Sequence, residues 1–454
     1  MLKKILVLLS LAVLVACGSP NESGADKKLT LTLWHPWSGE SAKPIENAVK
    51  EYERTHPLVK IKLTGNVTME KSLAAIYSGT GPDISIDLGM DNVGRFCASQ
   101  VWKSLNGYLE QDAGFISLFP KSVISGTRYE GNQCSLPVMT DVYSLYFNRQ
   151  ILEENGFMTA PRTTEDLIRY SKKITKFGSA GEIIQAGFVP WTGYYGASWG
   201  GSFASYMFGA KWYTEAGNSN FSTDPKWLDA MEWQHRFISE VYGQGDFMLG
   251  SRRLQEFVAG AGDEWGCAHD LQTGRSAMVF DGEWRTQSTC AEDLENGINA
   301  LDLGVAPIPV AKDIVDDYGF SAVGGPVAGI SSKSVNQDAA WSFLKFLTTS
   351  DSMMKDGFDY WWQAPSTVQG ITTLSNETSM ENWKIVLGMI SHPKSKWRDV
   401  SIIGNKDLDL INGVFTDLQL GVNEKGNDQQ NISRFKSELK KLGNKVNFEI
   451  EKSG

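Results

Sequence analysis

Alternating apolar and polar residues open the folded part of the chain and predict β-strands. Leu29–Trp34 (LTLTLW) and Val59–Leu63 alternate, and Ile84–Leu88 is a short, largely apolar run, as in half-buried or buried strands. Between the first two, apolar residues recur at helical spacing after Pro44, which suits a first helical turn, and Pro57 ends that helix. This strand–helix–strand order predicts a parallel α/β sheet.

The same periodicities continue along the chain. Helices are predicted to begin near Thr163, Trp227 and Asp338. Further strands are predicted in Pro137–Asn148, Gly274–Trp284, Leu303–Val310 and Ser321–Ile330. Prolines 307 and 309 place the third of these at a sheet edge, because proline cannot donate to a neighbouring strand. The remainder of the chain is predicted to be mostly helical, with a polar loop at residues 423–431.

One segment concentrates aromatic side chains among glycines. Pro190–Phe203 reads PWTGYYGASWGGSF, and so many glycines disfavour helix and strand, which predicts a loop. Flat rings with polar tips suit a concave surface that stacks on the C–H face of a pyranose. Packing of the same rings into the core is the alternative. The candidates are Trp191, Tyr194, Tyr195 and Trp199.

Size and charge narrow the possible functions. A chain of 454 residues predicts two or three domains. The formal net charge of −10 disfavours binding to nucleic acid or to anionic lipid, and 15 tryptophans favour aromatic recognition. No P-loop and no H-E-x-x-H motif is present, so ATP hydrolysis and zinc proteolysis lack support. No cofactor and no metal is expected.

The N-terminus has the pattern of a secretory signal. Lys3 and Lys4 precede the apolar run Ile5–Ala16, which as a helix would span about 18 Å and is too short for a membrane core. Residues 1–17 therefore form a predicted signal peptide. Its end, Leu-Val-Ala-Cys, resembles the lipobox of bacterial lipoproteins, which implies lipidation of Cys17. Residues 18–28 are expected to be a flexible tether.

Four cysteines remain, and an even number in an exported chain implies disulfides. Three pairings are possible, and Cys97–Cys134 with Cys267–Cys290 is favoured because both close short loops. A metal site using Cys267, His269 and Cys290 is the alternative, but its spacing matches no established zinc pattern.

Seven segments together resemble one family. They are LTLTLWHPWSG at 29–39, GPDISIDLG at 81–89, LPVMTDVYSLYFNRQILEENG at 136–156, RTTEDLIRYSKKIT at 162–175, GRSAMVFDGEW at 274–284, GVAPIPV at 304–310 and GGPVAGISSKSVNQDAAWSFLKFL at 324–347. In this order they resemble the extracellular solute-binding proteins of ABC importers, in particular the carbohydrate-binding branch.

The resemblance implies a periplasmic-binding-protein-like α/β fold of type II, similar to maltose-binding protein. Two α/β lobes would enclose a ligand cleft. The implied N-lobe comprises residues 29–140 plus 325–365, and the C-lobe comprises 141–324 plus 366–454. Chain crossings are implied near 140–141, near 323–325 and after Pro365. Each favoured disulfide would then lie within one lobe.

Candidate ligand residues follow the first and third strands. Ligands of parallel sheets lie beyond the carboxyl ends of the strands. His35, Trp37 and Glu40 lie in the loop after the first strand, and Asp87 ends the third. Trp34 continues its strand and is expected in the core. A capping or surface role is the alternative for Asp87.

Other candidates come from the resemblance. Asp141 is where the family often places a ligand carboxylate, and carboxylates form strong hydrogen bonds with hydroxyls. Trp284 is the tryptophan of the family's glycine-x-tryptophan turn, and this tryptophan commonly stacks on a sugar. Tyr143 is a further candidate. Gly324 and Gly325 could let the backbone approach the ligand closely, or could act only as a hinge. The last candidates are Trp361 and Trp362, of which one is expected in the core.

The expected function is capture of a mono- or oligosaccharide without chemistry, by a monomer that delivers it to an ABC permease outside the cytoplasm. A polyamine or another small solute in the same fold is one alternative. Esterase activity is another, since residues 196–200 fit G-x-S-x-G, but no apolar strand precedes them. A glycosidase would need two paired carboxylates. The four extra cysteines and the long segment 243–293 depart from the family pattern and leave ligand size open.

Overall fold

The protein is described by a computed structural model covering residues 28–195, 200–287, 302–378, 380–424 and 426–453. The strands are β1 Leu29–Trp34, β2 Val59–Thr64, β3 Ile84–Asp87, β4 Arg128–Tyr129, β5 Asn132–Gln133, β6 Leu136–Pro137, β7 Asp141–Asn148, β8 Lys176–Phe177, β9 Ile183–Phe188, β10 Ser276–Asp281, β11 Leu303–Ala306, β12 Ala322–Gly324 and β13 Val327–Ile330.

The α-helices are α1 Lys43–Thr55, α2 Met69–Tyr77, α3 Val93–Ala98, α4 Asn106–Gln111, α5 Lys121–Ile124, α6 Arg149–Glu154, α7 Thr164–Ile174, α8 Gly200–Phe208, α9 Pro225–Phe237, α10 Phe247–Ala259, α11 Gln337–Thr349, α12 Asp351–Trp361, α13 Val368–Glu377, α14 Glu381–Ile390, α15 Lys406–Gln419 and α16 Asp428–Ser453. Short 3₁₀ turns include Gly39–Ala42 and Glu283–Gln287.

The first sheet has the strand order β2-β1-β3-β13-β6. β1 pairs in parallel with β2 and β3, which confirms the predicted parallel α/β start. Helix α1 buries Ile45, Val49 and Tyr52 on one face, because these residues recur at helical spacing. They pack with α11 and α12 into the core of the lobe that we call the N-lobe. β13 joins this sheet from far along the chain and runs antiparallel to β3.

The second sheet has the order β11-β7-β10-β9-β8, and β12 pairs with the start of β7. It carries the C-lobe, whose core includes residues of α8, α9, α14 and α15. β11 lies at the sheet edge, as Pro307 and Pro309 predicted. Helix α7 begins with a capping box in which Thr163 and Asp166 exchange side-chain-to-backbone hydrogen bonds, as its sequence also predicted.

Three chain segments cross between the sheets and are bonded to one another. Thr140 N–H donates to the Ala364 carbonyl at 2.8 Å, and Ala364 N–H returns a bond at 3.0 Å. Val138 N–H donates to the Pro326 carbonyl at 2.8 Å. The fold therefore has two α/β lobes joined by hydrogen-bonded crossings. The lobe boundaries given above stay a prediction.

Three segments differ in their bounds from the elements expected. The β-rich run 137–148 is divided between two strands, because the chain leaves the first sheet after Pro137 and enters the second at Asp141. The segment predicted as a loop up to Phe203 becomes helical at Gly200. A Cβ at residue 201 would lie 2.7 Å from Ile411, so glycine permits close packing of α8 on α15. Gly201 is therefore needed for close helix packing rather than for a loop. The polar loop also ends earlier, where α16 begins at Asp428.

The Cys97–Cys134 disulfide is present, with 5.8 Å between the Cα atoms, and lies within the N-lobe. Cys290 lies outside the described residues, so the Cys267–Cys290 pairing stays a prediction. Residues 1–27, with the signal peptide, Cys17 and most of the tether, also lie outside them. Within the described ranges, no helix is both long and apolar enough to traverse a bilayer. The same ranges contain no cluster of three or more potential metal ligands among His, Cys, Asp and Glu.

Candidate functional site

Two buried carboxyl groups meet where the chain enters the second sheet. Asp141 begins β7, and Glu283 follows β10, the antiparallel neighbour of β7. Glu283 Oε2 accepts a hydrogen bond from Val142 N–H at 2.6 Å. Burial raises the pKa of Asp141 to about 7. Burial, and next the charge of Asp141, raise the pKa of Glu283 well above its usual value. The pair therefore retains a proton at neutral pH.

Gln363 ties this pair to the third crossing. Its Nε2 donates to Asp141 Oδ1 at 2.5 Å. Gln363 lies between Trp362 and Ala364, and Ala364 forms the main-chain bonds to Thr140. The carboxyl pair is thus fixed to the segments that connect the two lobes.

An aromatic group lies beside the pair. Trp284 is half-buried and meets Tyr143 edge to face, with 5.7 Å between ring centroids. Gly282 packs against the Trp284 ring, because a Cβ there would lie 2.3 Å from it. The ring of Trp265 lies 5.9 Å from that of Trp284 at 45°, and its side chain is 65% exposed. Acidic and aromatic side chains therefore adjoin at this end of the second sheet.

Asp87 approaches this region from the N-lobe. It ends β3 and accepts hydrogen bonds from Leu88 N–H at 2.9 Å and Asn92 Nδ2 at 3.0 Å. Burial raises its pKa to about 7. Asp87 pairs with Val327 and Asp141 with Gly324. Gly324 and Val327 are three residues apart, at most about 10 Å of extended chain, so Asp87 and Asp141 lie on the strands that pair with the two ends of the second crossing.

The three carboxyls Asp87, Asp141 and Glu283 share one electrostatic feature. No lysine or arginine among the described residues forms an ion pair with any of them, although each is buried. Asp281, only two residues before Glu283, instead pairs with Arg285 Nε at 2.7 Å. Burying an ionised carboxylate without a cation is unfavourable. These groups are therefore either protonated or in need of hydrogen bonds from a polar ligand.

The side chains of the loop after β1 differ in how far they are buried. His35 is buried, and burial lowers its pKa, so it is neutral at neutral pH. Trp37 stacks on Trp361 at 4.0 Å, and Trp361 Nε1 donates to the Ser41 carbonyl at 2.7 Å. Both rings are half-buried and pack against the N-lobe core. Glu40 is exposed.

Trp362 differs from its neighbour Trp361. It ends α12 in the left-handed region, with φ of 56°, and is half-buried. That backbone conformation is uncommon for a large residue and turns the chain at the third crossing. Trp362 directly precedes Gln363, whose side chain is bonded to Asp141. Trp34, expected in the core, is half-buried.

The aromatic segment belongs to the C-lobe interior. Trp191, Tyr194 and Tyr195 are all buried. Tyr194 O–H donates to Asp270 Oδ2 at 2.7 Å, and Tyr195 Oη accepts from Asp270 N–H at 2.9 Å. The structure thus places these rings in the core, the alternative role, rather than on an open concave surface. Trp199 lies outside the described residues.

The glycines at the second crossing are required for packing. Gly325 has φ of 119°, and a Cβ there would lie 2.6 Å from the Met139 carbonyl. A Cβ at Gly324 would lie 2.6 Å from the Trp397 ring. These contacts favour the structural role of the two glycines over a close backbone approach to ligand.

The model of the bacterial extracellular solute-binding protein family matches residues 37–354. The chain belongs to this family. Members act outside the cytoplasm, so the family places the chain in an extracytoplasmic compartment.

Named relatives agree with this assignment. A maltotriose-binding protein of Pyrococcus abyssi is 23% identical over 341 residues, which cover 74% of this chain and 65% of the relative. The chain therefore spans slightly under two thirds of that protein. The solved structure of CpMnBP1 with mannotriose bound is 25% identical, with a TM-score of 0.71, and the match covers 91% of this chain and all of that one.

A more distant structure shows the same fold. An ABC transporter solute-binding protein of Thermotoga lettingae, bound with α-D-tagatose, is 20% identical with a TM-score of 0.66. The match covers 92% of this chain and 99% of that one. The two-lobed architecture, similar to maltose-binding protein, is therefore the fold of this solute-binding protein.

Sequence reasoning missed Asn92, Trp265, Glu283 and Gln363. Glu283 directly precedes Trp284, and Gln363 directly follows Trp362, so their neighbours were identified without them. Trp265 lies in the Gly-Asp-Glu-Trp-Gly stretch, where a large aromatic among turn residues signals exposure. Only the pairing of distant strands shows that these residues converge.

A second feature joins the lobes away from the carboxyl pair. Arg398, buried between α14 and α15, donates from Nε to Asp91 Oδ1 at 2.7 Å and from Nη1 to Asp407 Oδ1 at 2.8 Å. Trp397 Nε1 also donates to Asp91, at 2.9 Å. A groove of about 760 Å³ adjoins this bridge, lined by residues 125–126, 128–131, 213–217, 396–402 and 450. The predicted ligand residues do not line it.

Proposed function

We propose that this solute-binding protein captures a carbohydrate between its lobes. The observation that carries the proposal is the Asp141–Glu283 pair beside Trp284 and Tyr143 at the crossings. An indole covers the apolar C–H face of a pyranose, while carboxyl groups accept or donate hydrogen bonds with its hydroxyls. The carbohydrate ligands named for the relatives support the same class of ligand.

The mechanism follows from the position of the site at the crossings. A ligand that contacts Asp87 on one lobe and Asp141 on the other favours the closed arrangement, because it gains both sets of contacts only there. The closed protein then delivers the sugar unaltered to the permease of an ABC importer. Lipidation of Cys17 would hold it at the membrane surface, where that permease lies.

One observation favours a second candidate ligand, a polyamine. Asp87, Asp141 and Glu283 are buried carboxyls with no cationic partner among the described residues. Ammonium groups would compensate ionised carboxylates, and aromatic rings would assist through cation–π contacts. The retained protons argue for a neutral ligand instead, since they remove the need for a cation.

A thermal-shift panel separates these functions. The purified protein is heated with mono-, di- and trisaccharides of glucose and mannose, and separately with spermidine. At a ligand concentration about 100 times Kd, binding stabilises the folded state by about 2.7 kcal/mol. We expect a rise in Tm with at least one sugar and, by chromatography, recovery of that sugar unchanged. A rise with spermidine alone, or cleavage of the sugar, would contradict the proposal.

A further inference from the structure

Trp265 is a large aromatic residue left mostly in solvent beside the candidate site. Its side chain is 65% exposed, and its ring lies 5.9 Å from that of Trp284 at 45°. Single exposed apolar residues are common and need no explanation by themselves. The position of Trp265 differs because it extends an aromatic row outward: Tyr143 next to Trp284, then Trp284 next to Trp265.

Arg285 fixes the loop that carries Trp265. Its guanidinium donates to Asp281 Oδ2 at 2.7 Å and to the Glu264 carbonyl at 2.9 Å. Trp265 N–H in turn donates to Asp263 Oδ1 at 3.1 Å. Since Arg285 is buried and Asp281 ends β10, the loop is attached to the rigid sheet that also positions Trp284. A loop whose backbone is held in place before binding loses less conformational entropy when a ligand packs on it.

We infer that Trp265 is a second stacking platform, and that the site takes an oligosaccharide of two or more sugar units in preference to a monosaccharide. This inference rests on the proposed function. A single pyranose beside Asp141 and Trp284 is held at the inner end of the row. The next unit of a chain extends outward past Trp284 and covers the exposed indole of Trp265.

The inference assigns a role to the loop segment 262–266, which carries Trp265 and its anchoring contacts. Apolar area buried on Trp265 adds to affinity only when the ligand is long enough to reach it. The segment would therefore set the preferred ligand length.

The test is calorimetric titration with two series, glucose–maltose–maltotriose and mannose–mannobiose–mannotriose. Trp265→Ala is compared with wild type, with Trp265→Phe, and with Phe448→Ala, which removes another exposed aromatic side chain, 61% exposed on α16. We expect Trp265→Ala to weaken the preferred trisaccharide by about tenfold, or about 1.4 kcal/mol, and to leave the monosaccharide unchanged. Trp265→Phe recovers part of the loss, and Phe448→Ala has no effect.

The outcomes distinguish the inference from the function on which it rests. If wild type binds sugars but Trp265→Ala binds the trisaccharide as wild type does, the inference is wrong and the proposed function stands. Equal losses for mono- and trisaccharide also overturn it, because Trp265 would then act at the first sugar. If no sugar of either series binds wild type, and spermidine does, the proposed function fails as well. Circular dichroism and Tm of each variant confirm that it is folded.

Discussion

Burial affects neighbouring carboxyl groups differently, according to the partner each one has. Asp281 and Glu283 are both fully buried and lie two residues apart. Asp281 has Arg285 at 2.7 Å, whereas Glu283 faces Asp141, another acid. A buried ion pair fixes a loop, while a buried acid pair keeps a proton and its capacity to exchange hydrogen bonds. The second arrangement suits binding of a hydroxylated ligand.

The first prediction at this scale concerns affinity. Asp141→Ala and Trp284→Ala should each weaken the stabilising ligand by at least about tenfold, because each removes a hydrogen-bonding or stacking group at the inner end of the site. Isothermal titration measures the change. Glu381→Ala, in which an exposed carboxylate on α14 is lost, should bind as wild type does. Unchanged affinity in both test variants would show that the site is assigned wrongly.

The second prediction concerns pH. Because the folded-state pKa of Asp141 is raised to about 7, and that of Glu283 is raised too, the folded protein holds protons that the unfolded chain releases. The stability that this pair contributes is therefore fully present below the unfolded pKa values, at about pH 4. It is lost as pH rises through the folded-state pKa of each group, about 7 for Asp141 and well above the usual value for Glu283. Glu283→Gln removes one of these acids and keeps an oxygen for Val142 N–H.

We therefore expect Glu283→Gln to be more stable than wild type at about pH 8, with a gain that shrinks towards about pH 4. Urea unfolding across this range measures it. The nearby charges of Asp281 and Arg285 form an ion pair and remain in both proteins. Glu381→Gln is the matched control on an exposed site. A gain independent of pH would contradict the shared-proton arrangement.

Among the helices and strands, local sequence patterns were sufficient to predict those elements whose signals all lie within their own segment. β1, α1 and β2 were predicted because alternation, helical spacing and two prolines all lie within the segment itself. The start of α8 was not predicted, because Gly201 is needed for close packing against Ile411, which lies far along the chain. The same limit applies to the site: Asp141 and Trp284 could be proposed, but their neighbours Glu283 and Gln363 are brought to Asp141 only by strand pairing and the third crossing.

The third prediction tests the second crossing. Gly325→Ala should destabilise the protein by about 1–3 kcal/mol, because alanine is strained at that φ and its Cβ meets the Met139 carbonyl. Denaturant titration gives the value. Gly413→Ala is the matched control: it lies within α15 with open space around it, so alanine should stabilise by up to about 1 kcal/mol. A neutral Gly325→Ala would show that the crossing tolerates a side chain.

At the scale of the whole molecule, the lobes are joined by more than the three crossings. Asp91 follows β3 in the N-lobe, and Asp407 begins α15 in the C-lobe. Arg398 bridges the two carboxylates in the interior, with Trp397 bonded to the same Asp91. A change in lobe orientation that separates Asp91 from Asp407 must therefore break this bridge.

The fourth prediction concerns that bridge. Arg398→Met leaves two buried carboxylates without their cation and should destabilise the protein by about 3–5 kcal/mol in urea unfolding. Adding Asp91→Asn and Asp407→Asn removes the uncompensated charges and should recover part of the loss. If the single substitution is neutral, the bridge contributes nothing to stability.

The central claim is that a carbohydrate binds between the lobes at the carboxyl pair. The most direct measurement is a crystal structure of the protein grown with the sugar that raises Tm most. We expect a sugar ring stacked on Trp284, with a hydroxyl within hydrogen-bonding distance of Asp141. A sugar located instead in the groove beside Tyr129 and Tyr213 would contradict it.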